Sequence, residues 1–314
     1  MYEWCDEMGH IRLPSAIGFY SPDRIALEDS IRDAFSNPYG AGEIPKVSSR
    51  RKADSVAGVA PHAGYVYSGP IASHLYKTIA EDGFPETFVL IGPKHRPMRF
   101  QGAAVMAKGG WETPLGTCKI DQSLARMLVE QSQTTGSECI EESQHAHDDE
   151  HSLEVQLPFL QFLGGSDSFK IVPLVISSPK YSVCEKVGIT IAETIQESGR
   201  DVFLLASTDF THYGQFHFGY APVGNGPIDK VAQWVRDTDA DLIEKIEKLD
   251  GKALLNTVLT KRRTMCGASA VTTTLVAAKK LGAVKGNLLK YATSYDVRGS
   301  PGAIVGYAAV AIQR

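Results

Sequence analysis

Four short polar clusters carry the residues that could do chemistry: Pro61-His62-Ala63-Gly64-Tyr65, Gly92-Pro93-Lys94-His95-Arg96, Ser207-Thr208-Asp209-Phe210-Thr211-His212-Tyr213-Gly214 and Met265-Cys266-Gly267. The first three each follow a strand-like apolar run. Imidazole and thiolate are ligands for borderline and soft metals, and they are also the base and nucleophile of covalent catalysis. Gathered at one edge of a sheet, such clusters predict a metal centre or a nucleophile site. Asp209 and His212 are three residues apart. On one turn the carboxylate would face the imidazole, fix its tautomer and suit it to acid–base work near neutral pH. Cys266 precedes an expected helix start, where the helix dipole favours thiolate. Lys94 and Arg96 flank His95 as cations for an anionic ligand.

Each cluster also has a plain structural use. Ser207, Thr208 and Asp209 are good helix caps. His62 and His95 fit turn positions bonded to backbone, and a free cysteine is commonly a small buried residue. A further His-rich segment, Gln144 to His151, offers His145, His147 and His151. His147 and His151 are four apart, as on a metal-binding helix face, but HExxH is absent and a solvated loop ahead of a capped helix fits equally well. Of Glu154 and Gln156, at least one is expected to face inward or toward the site. There is no Walker loop, no GxGxxG after the first strand and no GxSxG elbow, which argues against nucleotide hydrolysis, Rossmann redox chemistry and α/β-hydrolase chemistry.

The elements that must position these residues alternate. Apolar periodicity predicts helices over 22–35, 70–79, 122–130, 184–197, 228–259 (with breaks) and 268–281, and one starting near 152. Buried runs predict strands over 56–60, 87–91, 169–176, 201–206, 288–294 and 303–312, with short β pieces between 102 and 120. The alternation predicts an α/β fold with a central sheet covered on both faces. With 314 residues, 43% hydrophobic, and no linker-like stretch, one large domain is expected. The net charge of −4 and the lack of a basic stripe beyond Ser49-Arg50-Arg51-Lys52 argue against nucleic acid. Five scattered cysteines without a CxxC point to a reducing compartment. The acidic start is unlike a signal peptide and no run is long enough to span a bilayer, so a soluble cytoplasmic protein is expected.

Taken in order, the clusters, together with Glu150-His151-Ser152-Leu153-Glu154-Val155-Gln156-Leu157-Pro158-Phe159, resemble the Memo family, named for a mediator of ErbB2-driven cell motility. The resemblance runs from about 14 to 312, leaving 1–13 as an N-terminal extension to a domain of 14–314. It implies a single domain with a mixed or parallel sheet, similar to class III extradiol dioxygenases. It further implies that His62, His95 and Cys266 are metal ligands, Cys266 standing where the dioxygenases keep a glutamate, and that His212 is the acid–base residue with Asp209 close by. Lys94, Arg96, Tyr65, His151 and Glu154 are assigned to the ligand. A thiolate in place of a carboxylate changes metal preference; Fe(II) is placed first, copper second and zinc third. The implied function is a metal-dependent oxidoreductase acting on a small molecule or peptide in the strand-edge cleft. Two other readings stand beside it: a non-enzymatic module binding a peptide or phospho-ligand in the ancestral cleft, and metal-free hydrolysis by Cys266 and His212. Oligomeric state is not legible in the sequence.

Overall fold

The uninterrupted apolar runs are strands buried on both faces, as parallel strands between two helical layers must be. The computed structural model describes residues 10–96, 100, 102–134, 138–224, 226–299 and 302–314. Residues 1–9 of the expected extension, Cys5 among them, lie outside the described residues.

In chain order the elements are β1 (Ile11–Arg12), α1 (Arg24–Ser36), β2 (Ser55–Ala60), α2 (Tyr65–Asp82), β3 (Thr87–Gly92), β4 (Ala103–Val105), β5 (Gly110–Thr113), β6 (Gly116–Lys119), α3 (Gln122–Thr134) and β7 (Ile140–Glu142). A 3-10 turn (Glu154–Gln156) then leads into α4 (Leu157–Gly164), β8 (Lys170–Ile176), α5 (Tyr181–Ser198), β9 (Val202–Ser207), β10 (His212–Tyr213) and α6 (Gln215–Phe218). The chain closes with α7 (Ile228–Glu247), α8 (Gly251–Thr260), α9 (Ala268–Lys280), β11 (Lys285–Thr293), α10 (Ser294–Arg298) and β12 (Ile304–Gln313).

The large sheet has the order β10-β12-β2-β9-β3-β8-β4-β7, with β11 paired to β12. Its centre, β2-β9-β3-β8, is parallel. Antiparallel pairing of β12 to β2 and of β4 to β8 makes the whole sheet mixed. α9 packs across β2, β3, β8 and β9 with α5 behind it, and α2 packs across β2, β11 and β12 with α1 behind it. The expected α/β architecture, a mixed sheet flanked by helices, is the one observed. Of the short β pieces after residue 102, β4 joins the large sheet, and β5 and β6 form a second, three-stranded sheet with β1, in the order β1-β5-β6. No helix among the described residues is long and apolar enough to cross a membrane.

Parallel β2, β9 and β3 lie side by side and end at one level: Ala60 is in register with Ser207, and Ile91 with Ala206. The next residues along the chain, Pro61-His62, Thr208-Asp209 and Pro93-Lys94-His95, are thereby delivered to a single edge. This is the property of parallel sheets that makes their carboxyl edge a site.

Two local expectations are corrected, and the break expected after 228 is located. Helix α2 begins at Tyr65, not Pro70, so Pro70 lies inside it. A proline there withholds the N–H that Val66 O would accept, and Arg298 Nε donates to that carbonyl instead at 3.0 Å. The segment 208–213 is not a helical turn; it runs into β10, whose His212 pairs with Val305 of β12. The long helical stretch from 228 divides at Leu249, which has φ 52°, and Asp250 caps α8 by accepting from Ala253 N–H.

Candidate metal centre

Ring nitrogens of His62, His95 and His151 all lie within 4.8 Å of one another. The rings of His95 and His151 stack at 4.6 Å, and His62 meets both edge-on at 5.3 and 5.6 Å. His62 forms the floor at 2% exposure, whereas the His95 side chain, at 35%, faces the opening.

Hydrogen bonds behind His62 and His95 orient those two rings. Ser207 Oγ donates its proton to Ser152 O at 2.6 Å, so toward His62 Nδ1, 2.8 Å away, it can only accept. His62 therefore carries its proton on Nδ1 and a lone pair on Nε2. Gln156 supports the same hydroxyl, donating to Ser207 Oγ at 2.8 Å and to Pro61 O at 3.1 Å, and its own carbonyl accepts from Tyr76 OH. His95 Nδ1 faces Glu150 Oε1 at 2.9 Å, which in the neutral ring likewise leaves Nε2 bare. Glu150 Oε2 accepts from His95 N–H at 2.7 Å, and Oε1 also accepts from Ser152 N–H at 2.9 Å and lies 3.5 Å from His151 Nδ1. Burial alone would raise the Glu150 carboxyl, but the His95 and Ser152 donors outweigh it and hold the group well below the usual carboxylate range. Burial also drives the His62 ring far down, helped by the neighbouring His151 and His95, and brings His151 to about 4. Both imidazoles are neutral at pH 7, the form that can ligate a metal.

Cys266 Sγ is 3.2 Å from His62 Nε2 and 3.3 Å from the Asp209 N–H. Burial and then the nearby Asp209 carboxylate push its thiol up to about 12. Its loop reaches β9 because Gly267 lacks a side chain: a Cβ there would sit 2.4 Å from Ser207 O. Gly92 does the same for His151, since a Cβ there would be 2.6 Å from Leu153 and 2.9 Å from Ser152 Oγ.

The remaining predicted residues are distributed as follows. Asp209 is buried and accepts from His62 N–H at 2.8 Å. His212 is oriented by carbonyls rather than by Asp209: its Nδ1 lies 2.9 Å from Thr264 O and 3.0 Å from Phe210 O. Lys94 and Arg96 both pair with Asp149, Arg96 at 2.8 Å, so the rim is not the bare cationic patch expected. Tyr65 is buried and donates its hydroxyl to Val155 O at 2.7 Å. Glu154 is fully buried and accepts from Arg12, Ser15, Ala16 and Tyr20. Neither Tyr65 nor Glu154 offers a free polar atom to a ligand.

The His-rich segment divides rather than acting as a unit, because it is a series of turns and not a helix. His145 is solvent-exposed beside Asp148, His147 is buried near Trp111, and His151 alone joins the cluster. His147 Nδ1 lies 2.9 Å from Ser143 O, and among the described residues its Nε2 has no hydrogen-bond partner. Burial lowers its pKa from 6.5 to about 4. A depressed imidazole contributes stability that is complete above pH 6.5 and is lost as pH falls through about 4. The loss from this group is about 3 kcal/mol. His147→Gln should therefore flatten the fall in urea midpoint across that window relative to the unsubstituted protein; parallel curves would assign the acid sensitivity elsewhere.

The chain matches known proteins along nearly its whole length. A profile described as Memo-like protein matches residues 12–311. The chain belongs to the Memo-like family. A MEMO1 family protein of Methanothermobacter thermautotrophicus is 39% identical over 299 residues, covering 95% of this chain and 99% of the relative. One from Ignicoccus hospitalis is 40% identical over 301 residues, covering 96% and 98%. An uncharacterized protein of Escherichia coli K12, of known structure, is 16% identical with a TM-score of 0.46, over 82% of this chain and 98% of that one. Within this Memo-like chain, Glu150, Ser207 and Gln156 shape the imidazole cluster; the sequence offered Ser207 as a member of a polar cluster and Gln156 as a residue facing inward or toward the site, but gave Glu150 no role of its own. Glu150 had a signal in principle: a carboxylate directly preceding one candidate imidazole. A surface groove of about 780 Å³ lies elsewhere, lined by Arg24, Arg32, Lys119 and Gln161, and holds none of these residues.

Proposed function

We propose that this Memo-like protein holds one redox metal on His62, His95 and His151, with Cys266 as the adjacent fourth donor, and acts as a cytoplasmic oxidoreductase. The observation that carries this is the convergence of three imidazoles within 4.8 Å, with Nδ1 of His62 and of His95 held from behind. Three imidazoles and a thiol suit iron, copper and zinc; the reading places iron first and copper next. When bound, such a metal would supply one-electron redox chemistry.

The protein's own residues do the rest. Ser207 and Glu150 hold the Nδ1 protons of His62 and His95, so both rings present lone pairs without rearranging. Asp209, through the His62 N–H, fixes the backbone under the floor of the site. His212, with Nδ1 held by two carbonyls, has Nε2 as the atom that can take or give a proton. A thiol pushed up to about 12 is protonated at neutral pH and a poor nucleophile, which weighs against metal-free hydrolysis.

The test is metal analysis of protein purified without oxygen. About one equivalent per chain is expected, falling below a tenth in His62→Ala and in His95→Ala, with both variants folded by circular dichroism. Metal-free protein after reconstitution with Fe(II), Cu(I) and Zn(II), still binding a peptide in the cleft, would replace this reading with the binding module.

A further inference from the structure

Arg12 was assigned to an extension, yet it is 2% exposed and lies over Trp111 at 4.2 Å. Its strand is pinned in register, Ile11 to Gly110 and Arg12 to Trp111. The close approach needs Gly109, where a Cβ would sit 1.9 Å from His10 O. The guanidinium then divides its donors. NH1 meets Glu154 Oε2 at 2.5 Å and NH2 meets Ser15 Oγ at 2.6 Å. NH1 also makes a long contact to the neighbouring Leu13 O at 3.4 Å, and two short bonds reach backbone across the fold: Nε to His147 O at 2.7 Å and NH2 to Glu150 O at 2.8 Å. Those carbonyls bracket the turn that carries Glu150 and leads into His151. The same N-terminal stretch places Phe19, whose ring stacks on His151 at 4.1 Å.

A buried guanidinium is costly unless its donors are matched. Here two of them are spent on carbonyls of one turn, a planar fork that lysine cannot reproduce. We propose that Arg12 is a positioning residue for the metal centre: it fixes the 147–151 turn from behind, so that residues 10–19 are part of the site. This rests on the metal reading above for its functional consequence, but the positioning itself can be measured without metal.

The variant of choice is Arg12→Lys in the full chain, which keeps a cation for Glu154 and loses the fork; Arg12→Met with Glu154→Gln serves if lysine does not fold. Two readouts are taken: hydrogen exchange of peptides covering 147–152 and, separately, of α9, and Co(II) titration followed by its ligand-field spectrum. The expected result is exchange at 147–152 faster by about tenfold or more with α9 unchanged, and a Co(II) Kd raised about 10- to 100-fold, the usual range for losing an outer support. Unchanged exchange at 147–152 would overturn the positioning role. Faster exchange with unchanged Co(II) affinity would overturn its link to the site. If the unsubstituted protein takes up no Co(II), the metal reading fails, and the exchange arm decides Arg12 by itself.

Discussion

Glu150→Leu should leave a folded protein that no longer retains metal, although Glu150 is not one of the three converging imidazoles. The carboxylate is 1% exposed and accepts from the His95 ring, the His95 backbone N–H and the Ser152 backbone N–H. Leucine fills a similar volume but leaves three donors unmatched, of which the buried Ser152 N–H alone costs about 1–3 kcal/mol. It also releases the His95 tautomer, because nothing then holds the proton on Nδ1, and a ring protonated on Nε2 carries its lone pair on Nδ1, the nitrogen that faced Glu150. Metal affinity should fall by at least about 100-fold, the upper end for loss of an outer-shell carboxylate. Glu150→Gln keeps one acceptor oxygen and should fall between, near tenfold. Metal content after dialysis against a chelator, with Co(II) titration for the affinities, checks both; full retention by the leucine variant would show that the carboxylate does not set the rings.

Gly267→Ala should separate Cys266 from His62. Gly267 has φ −94°, so backbone strain is not the issue; space is. The added methyl would lie 2.4 Å from Ser207 O, 2.5 Å from Thr208 Cβ and 2.7 Å from Thr208 Oγ1. These are backbone and a β-branched side chain, which cannot swing aside. The loop before α9 must lift, stretching the Gly267 N–H to Thr208 Oγ1 bond of 2.9 Å and the Asp209 N–H to Cys266 Sγ contact of 3.3 Å. Overpacking of this kind costs about 1–3 kcal/mol. In the Co(II)-loaded protein the sulfur-to-metal charge-transfer band should disappear while the ligand-field bands of an imidazole site persist. An unaltered band together with an unaltered urea midpoint would mean that the loop tolerates the methyl and that Cys266 is not held there by Gly267.

The parts of the molecule that were legible share a cause. Strands such as 87–91 and 202–206 are short runs without a charge, and burial on both faces leaves that mark in any sequence. His62 and His95 were legible as site residues because each follows such a strand directly, so chain connectivity alone places them at the edge. His151 was legible as a histidine but not as a partner of the other two: it arrives from a series of turns, and its place depends on Gly92 admitting Ser152 and Leu153 against β3. Glu154 and Tyr65 look like ligand groups in the sequence because burial is invisible there; in the fold their polar atoms are fully used by Arg12, Tyr20 and Val155. The Asp209–His212 pairing failed for a related reason. Spacing of three implies a shared face only in a helix, and this segment enters β10.

By itself the sequence determined the α/β alternation, the family, and the set of imidazole, thiol and carboxylate groups brought toward one sheet edge, because apolar periodicity and strand-end connectivity are local properties. Only the tertiary structure decided which of those groups meet, which nitrogen of His62 and of His95 is bare, and that an arginine near the N-terminus braces the turn before His151. Those are set by contacts between residues up to about 200 positions apart, such as Cys266 with His62, and by the room that Gly92, Gly109 and Gly267 leave for segments to close on one another.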